Sequence, residues 1–459
     1  QEEIRMSTRR KGMSRRQFIG RTGAAVAAVT VVPAHVLGGR GRIGPNEKLD
    51  IAFIGVGGRG GANLGGLGGS NNVVAMCDVD QRRAGKAFDK HPKARKFRDF
   101  RKMLDQVDKQ VDAVAVSTPD HTHAVAVIDA IRRGKHVYCE KPLAHSVWEV
   151  RAIMAAARKY KVVTQLGNQG HSSEAIRMFC EWIWDGAIGK VHTIHTGCSA
   201  VHCRIKDLPK LKEKHDVPEG LDWDLWLGPV QERPYHPMYL PGAWRAWAPF
   251  GTGTIGDWVC HVVDPVFWAL DLGSPTTILT EAQTEWDPVK HADTFPAGWT
   301  VTFEFPAKGA RPPVKMVFYN GKTPIPRPKE LEDGRKVTRT GGVVYGEKGT
   351  IMYGSHGAGG VRIIPEEKMK AYGQHLPAKK IPRVGNHHAD FVRAVRERRH
   401  AGSDFALYGG PLTELALLGI IGLRMPGRKL TWDARNMKFT DCPEANQYLK
   451  PEFRNGWTL

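Results

Sequence analysis

Residues 49–60 read Leu-Asp-Ile-Ala-Phe-Ile-Gly-Val-Gly-Gly-Arg-Gly, an apolar run that breaks into a glycine turn. Gly55, Gly57 and Gly60 stand in G-x-G-x-x-G register, with Gly58 and Arg59 inside the turn. The first glycine permits a tight turn, the second lets backbone approach a pyrophosphate, and the third lets the next helix pack on the strand. The start of that helix then offers unpaired N–H groups to phosphate. In a chain with 51 glycines the motif alone is a weak signal. It gains weight from its place after a strand-like run. It gains more from Asp78, which follows the next apolar run, Val73–Cys77. A carboxylate there binds the adenine ribose hydroxyls. It also disfavours a 2′-phosphate, so the expected cofactor is NAD, with NADP left open by Arg82 and Arg83 nearby.

Working outward, apolar runs recur at Val111–Ser117, His136–Cys139 and Val162–Leu166. Helical apolar spacing fills Ala124–Ile131 and Val147–Tyr160 between them. Continuous apolar strands alternating with amphipathic helices predict an α/β fold: a Rossmann, doubly wound parallel sheet over residues 47–170. Beyond it the texture changes. A helix is expected at Ser173–Asp185. Strands are expected at Val191–Cys198, Thr277–Thr284, Thr300–Phe305, Val314–Tyr319, Val343–Tyr345 and Thr350–Tyr353. Residues 171–459 therefore read as an α+β domain with a large, mostly antiparallel open sheet. Helices at Asn386–Arg399 and Leu412–Arg424 close it, free to pack back on the nucleotide domain. Residues 203–250, rich in Trp, Pro and His, read as a long functional loop.

The 459 residues, 41% apolar and 25% charged, exclude a disordered or multi-span membrane protein. Seven cysteines without C-x-x-C spacing exclude a disulfide scaffold and leave no structural zinc site. The formal charge is +20, but residues 1–46 hold nine Arg/Lys and two Glu, +7 of that total. The remainder shows no basic block with interleaved aromatics, so no nucleic-acid partner is expected. Ser14-Arg15-Arg16-Gln17-Phe18-Ile19-Gly20 followed by the uncharged stretch Thr22–Gly39 resembles a twin-arginine export signal. Residues 1–46 are then signal and linker, the export machinery is a partner, and the mature protein is periplasmic or otherwise exported. That route carries folded proteins, so it implies a cofactor captured before export.

Two further segments lie at expected strand ends: Ser117-Thr118-Pro119-Asp120-His121-Thr122-His123, and Glu140-Lys141-Pro142. In an open parallel sheet the strand carboxyl ends face the ligand. A lysine there can lower its pKa and hydrogen-bond a substrate oxygen. The glycine motif, the Thr-Pro…His segment and Glu-Lys-Pro together resemble the Gfo/Idh/MocA oxidoreductases, which include glucose–fructose oxidoreductase and inositol dehydrogenases. The resemblance runs from about residue 48 to the end of the sequence. It implies a Rossmann domain followed by an α/β domain whose open sheet holds substrate and an oligomer interface, hence a homodimer or homotetramer. Gly251-Thr252-Gly253-Thr254-Ile255-Gly256-Asp257-Trp258-Val259-Cys260-His261 looks like the family's glycine-rich lead into Asp-x-x-x-His.

On a helix Asp257 and His261 share a face, and Asp264 continues the stripe in a structural role. No third ligand of suitable spacing appears, so no metal is expected. The proposed division of labour makes His261 the general base, Lys141 the partner of the same oxygen, and Asp257 the group that orients substrate or imidazole. Cofactor contacts are assigned to Gly55, Gly57, Gly58, Arg59, Gly60, Asp78, Ser117, Thr118, Pro119, His123, Glu140, Lys141 and Gln169. Substrate contacts are assigned to Asn168, His171, Trp244, Arg245 and Trp247, since indoles and polar groups suit a carbohydrate. Three functions follow: an oxidoreductase on a secondary hydroxyl of a sugar, sugar derivative or cyclitol; a redox-elimination glycosidase or lyase with tightly held NAD; and a non-catalytic sugar or nucleotide sensor.

Overall fold

The computed structural model describes residues 48–283 and 285–459. The paired arginines and the export-type stretch lie outside the described residues. Strands β1 (Asp50–Ile54), β2 (Asn72–Cys77), β3 (Arg95–Phe97), β4 (Ala113–Val116), β5 (His136–Cys139) and β6 (Thr164–Leu166) form one sheet in the order β3-β2-β1-β4-β5-β6. Every pairing in it is parallel. The order reverses beside β1, and the crevice at that switch point is where a doubly wound sheet binds its ligand. β4, Ala-Val-Ala-Val, is buried at all four positions, as a strand covered on both faces must be. β3 went unread because Arg-Lys-Phe is three residues long with two exposed cations.

Helices α1 (Arg59–Gly68), α2 (Gln81–Lys90), α3 (Phe100–Val107), α4 (Asp120–Arg132) and α5 (Val147–Tyr160) cover this sheet. Their starts are written in the sequence. Asp80 caps α2 by accepting from Arg82 N, and Ser146 with Glu149 forms a reciprocal capping box on α5.

The second sheet has nine strands: β7 (Val191–Cys198), β8 (Thr277–Ala282), β9 (Gly298–Phe305), β10 (Val314–Gly321), β11 (Gly341–Gly346), β12 (Thr350–Gly354), β13 (Arg362–Ile364), β14 (Lys429–Asp433) and β15 (Lys438–Phe439). Their order is β13-β12-β11-β7-β10-β9-β8-β14-β15, antiparallel throughout except for β7–β10. Helices α6 (Glu174–Trp184), α7 (Trp223–Leu227), α8 (Gly253–Val262), α9 (Asp264–Ala269), α10 (His387–Glu397) and α11 (Gly410–Gly422) follow in chain order. α8 and α11 lie on one face of this sheet. There Thr196 Oγ1 donates to Val262 O at 3.2 Å and Thr280 Oγ1 to Gly419 O at 3.2 Å. The helical stretch Phe405–Gly422 is long and apolar enough to cross a membrane, yet 78% of it is buried in this core.

α10 packs on the first sheet rather than the second. Phe391 meets Tyr138 edge-on at 5.9 Å, and Gln165 Nε2 donates to His387 O at 2.6 Å. The Rossmann core therefore includes Phe391, Val392, Ala394 and Val395. Residues 203–250 are not a bare loop. They hold α7 and short turns around their own apolar cluster of Leu221, Trp226, Leu227, Tyr235, Tyr239, Trp244, Trp247 and Phe250. Trp223, Trp226, Trp244 and Trp247 are there because this lid needs a core of its own.

Candidate active site

The glycine turn sits where the motif requires. A Cβ on Gly60 would lie 2.0 Å from Gly55 O, and one on Gly55 (φ +79°) 2.7 Å from Ser117 O. Asp78 Oδ2 accepts from Val56 N at 2.9 Å and Gly57 N at 3.3 Å, so the expected ribose carboxylate also holds the turn closed. Burial raises its pKa against these backbone hydrogen bonds. The turn opens on a cleft of about 310 Å³. Gly55, Gly57, Gly58, Arg59, Asp78, Ser117, Thr118, Pro119, Glu140 and Lys141 all line it. Arg82 is tied to Asp80, with Nη2–Oδ2 at 2.7 Å, while Arg83 lies against Gly57 and Gly58 and faces the cleft.

Glu140 is nearly buried and gathers three donors on Oε1: Arg59 Nε at 2.9 Å, Asn63 Nδ2 at 2.9 Å and Gln169 Nε2 at 3.1 Å. It locks the start of α1 to the end of β5. Gln169 belongs to that lock, also donating to Tyr138 OH at 3.0 Å. His123, assigned to the cofactor, is instead an internal brace. Its Nδ1 lies 2.7 Å from Pro142 O and its Nε2 2.8 Å from Thr118 O, joining the two strand-end turns.

Lys141 reaches across to α8. Its Nζ donates to Asp257 O at 2.9 Å and pairs with Asp257 Oδ1. Arg245 Nε approaches the same Oδ1 at 3.1 Å, and His202 Nε2 approaches Oδ2 at 3.1 Å. Burial alone would raise the Asp257 pKa, but Lys141, His202 and Arg245 hold it well below the usual carboxylate range. Of the two expected roles, orienting substrate or imidazole, the second is not what the contacts give: Asp257 holds Lys141 instead. His261 stacks on His356 with ring centroids 4.2 Å apart, and its Nδ1 is buried without a partner among the described residues. Burial, then the positive charge of Lys141 and the neighbouring His356, drives the His261 pKa well below its ordinary value, so the ring is neutral at pH 7.

Three substrate assignments need correction. Asn168 and His171 are buried and serve Asp264, with Nδ2–Oδ2 at 3.3 Å and Nδ1–Oδ1 at 2.9 Å. Tyr408 OH donates to the same Asp264 Oδ1 at 2.6 Å, so Asp264 is the structural hub the stripe suggested. Trp247 has no exposure and donates Nε1 to Met238 O at 3.0 Å inside the lid. Trp244 and Arg245, stacked at 4.3 Å, do line the cleft.

Sequence reasoning missed Asp120, His202 and His356. Asp120 is buried at the cleft and accepts from Thr252 Oγ1 at 2.6 Å, fixing the start of α8 to the first sheet. His356 adopts φ +55° and precedes Gly357 at φ +88°, a left-handed pair that presses against Gly170. The His-Gly dipeptide was the available signal, and strain of this kind clusters at working sites. Away from the cleft, Glu213, His215 and His236 bring ligand-type atoms within 4.8 Å of one another. His236 Nδ1 accepts from Met238 N, so in the neutral ring Nε2 carries the proton and is no metal ligand.

A Rossmann sheet with a glycine cradle, a ribose carboxylate and a lysine on the cleft rim, joined to a nine-stranded α/β domain, defines an NAD-binding oxidoreductase fold. Two family models match: "Oxidoreductase family, NAD-binding Rossmann fold" over residues 49–168, and "Oxidoreductase family, C-terminal alpha/beta domain" over 205–306. Residues 49–168 and 205–306 thus match the two domains of the Gfo/Idh/MocA oxidoreductase family. It is 30% identical over 168 residues to a 1,5-anhydro-D-fructose reductase of Ensifer adhaerens, covering 36% of this chain and 39% of that one. It is 28% identical to a glycosyl hydrolase family 109 protein 2 of Akkermansia muciniphila, covering 35% and 36%. The chain thus spans less than half the length of these curated relatives. In fold it resembles the WlbA dehydrogenase of Bordetella pertussis in complex with NADH and UDP-GlcNAcA, with TM-score 0.57 and 16% identity over 84% of this chain and 99% of that one.

Proposed function

We propose that the protein is an exported NAD(P)-dependent oxidoreductase acting on a secondary hydroxyl of a sugar, sugar derivative or cyclitol. The observation that carries this reading is Lys141, which lines one cleft together with the glycine cradle and is held from behind by Asp257. The cradle, Asp78 and the Thr118–Pro119 turn would hold NAD; when bound, NAD supplies the hydride acceptor. The protein's own part is proton management. An ammonium has three N–H donors. Two of those on Lys141 are committed to Asp257 O and Oδ1, which leaves one for the substrate oxygen. Asp257 fixes the direction of that donor, and Arg245 fixes Asp257 from the lid side. His261, kept neutral, is free to accept the hydroxyl proton. Trp244 and Arg245 form the wall against which a pyranose or cyclitol ring would lie.

The twin-arginine segment supports export with the cofactor already loaded, and the open sheet supports assembly into a homodimer or homotetramer. A second reading has a specific support in the likeness to the Akkermansia glycosyl hydrolase. It keeps the same residues and makes the net reaction cleavage of a glycoside, with NAD regenerated in each turnover.

One experiment separates these readings. Protein carrying NAD is mixed with a panel of sugars, cyclitols and simple glycosides while NADH absorbance is followed. The oxidoreductase gives lasting NADH and a keto product. Elimination gives transient NADH, a released aglycone and solvent exchange at the carbon next to the transient ketone. A panel in which several compounds bind and none reduces NAD overturns both and leaves the sensor.

A further inference from the structure

Residues 451–459 bring one side chain, Trp457, to the cleft. Trp457 lines the cleft together with Asp78, Val79, Asp80, Arg98 and Phe100. Those residues lie at or beyond the carboxyl ends of β2 and β3, on the far side of the glycine turn from Glu140 and Lys141 at the end of β5. A dinucleotide with its pyrophosphate on the turn and its ribose at Asp78 places adenine at this end.

The wall is built, not incidental. Arg101 covers the Trp457 indole at 4.3 Å and is itself gripped by Asp99, with Nη2–Oδ2 at 2.8 Å. Phe100 flanks the indole at 6.1 Å. Three residues earlier, Arg454 staples the segment to the lid. Its Nε donates to Gly228 O at 2.8 Å, its Nη2 to Asp224 O at 2.7 Å, and its backbone N to Pro229 O at 3.0 Å. The same lid supplies Leu225, Trp226 and Trp244 to the cleft.

We infer that residues 451–459 form a strap that closes the adenine end of the NAD site, with Trp457 as its wall and Arg454 as its fastening to the lid. Nucleotide leaves this end only when the strap lifts, so the strap sets the residence time of NAD. The inference rests on NAD binding alone and not on the sugar reading, so its failure leaves that reading untouched.

The test uses the full chain freed of nucleotide, with Trp457→Ala, Trp457→Phe and Arg454→Ala variants. Binding of NAD, ADP-ribose and nicotinamide mononucleotide is measured by calorimetry, and exchange of bound etheno-NAD by its fluorescence. Trp457→Ala should weaken NAD and ADP-ribose about 10- to 100-fold, the scale of losing one aromatic base contact. Exchange should accelerate similarly, while nicotinamide mononucleotide is unchanged. Arg454→Ala should speed exchange at least as much as it weakens binding. Trp457→Phe should recover most of the affinity. NAD and ADP-ribose affinity within twofold of the parent in both alanine variants would overturn the strap. Equal weakening of all three ligands would overturn it too, because that pattern marks general damage to the sheet.

Discussion

Asp257→Asn strips the carboxylate shared by Lys141, Arg245 and His202 while keeping its shape. The Lys141 and Asp257 side chains are 12% and 15% exposed, so the pair is largely out of water. Removing one partner of a buried pair costs about 3–5 kcal/mol. Residual exposure of the pair, and of Arg245 at 30%, discounts this to about 2–3 kcal/mol here. Lys141→Met alone should cost less, about 1–2 kcal/mol, because Arg245 and His202 still face the carboxylate. With both changes neither member of the buried pair is stranded and only the more exposed Arg245 and His202 lose a partner, so the double variant should lose only about 2 kcal/mol, against about 4 for the sum. Urea unfolding followed by tryptophan fluorescence measures all three variants. A double-variant loss equal to the sum of the singles within about 0.5 kcal/mol would show the two residues to be energetically independent and refute the pairing. The same geometry has a pH signature. The folded pKa of Asp257 lies well below its unfolded value, so its contribution is complete above the ordinary carboxylate range and is lost as pH falls through the depressed value.

His356→Gly should stabilise the fold by about 1 kcal/mol by relieving the left-handed residue, yet lower turnover roughly tenfold or more with NAD affinity unchanged; a variant that gains stability and keeps full turnover removes His356 from the site. His121 and His387 are buried and driven by that burial down to about 3, against 6.5 when unfolded. The folded state therefore binds fewer protons, and stability present above pH 6.5 drains away as pH falls. Between pH 7.5 and 5 each histidine should cost about 2 kcal/mol, and a melting temperature that is flat over that span contradicts the buried neutral assignment. Gly60→Ala should destabilise by about 1–3 kcal/mol and abolish NAD binding, because its methyl meets Gly55 O; retained binding by calorimetry would place the turn wrongly.

The first sheet was legible because its strands are continuous apolar runs punctuated by glycine and by capping residues such as Asp80 and Ser146. Boundaries moved by a residue or two, as where Val111–Ser117 shrank to Ala113–Val116. Apart from Lys429–Asp433, what escaped were short edges. Arg95–Phe97, Arg362–Ile364 and Lys438–Phe439 have two or three residues each, too few for a period to show. In the site, Lys141 and Asp257 were picked out by the motifs that carry the family resemblance, but not their meeting, since 116 residues separate them and a contact of that range leaves no periodic trace. The same gap explains the errors. Asn168, His171 and Trp247 are polar or aromatic near the right motifs, and only burial shows that they face Asp264 or the lid interior. His202 and His356 come from segments whose sequence announces nothing but a turn.

The packing of α10 on the first sheet has a consequence for how the protein is made. His387 seals the end of β6 through Leu166 O, a contact spanning 221 residues. A ribosome adding about 5–20 residues per second takes tens of seconds to cover that distance. During that time the nascent nucleotide half carries an uncovered apolar face on Tyr138, and its adenine wall at Trp457 has yet to be synthesised. If residues 451–459 close the adenine end, cofactor capture is a late event of biosynthesis, set by the last sixth of the chain and not by the glycine turn near its beginning. A protein cut at residue 170 would inherit the motif without the means to keep what the motif binds.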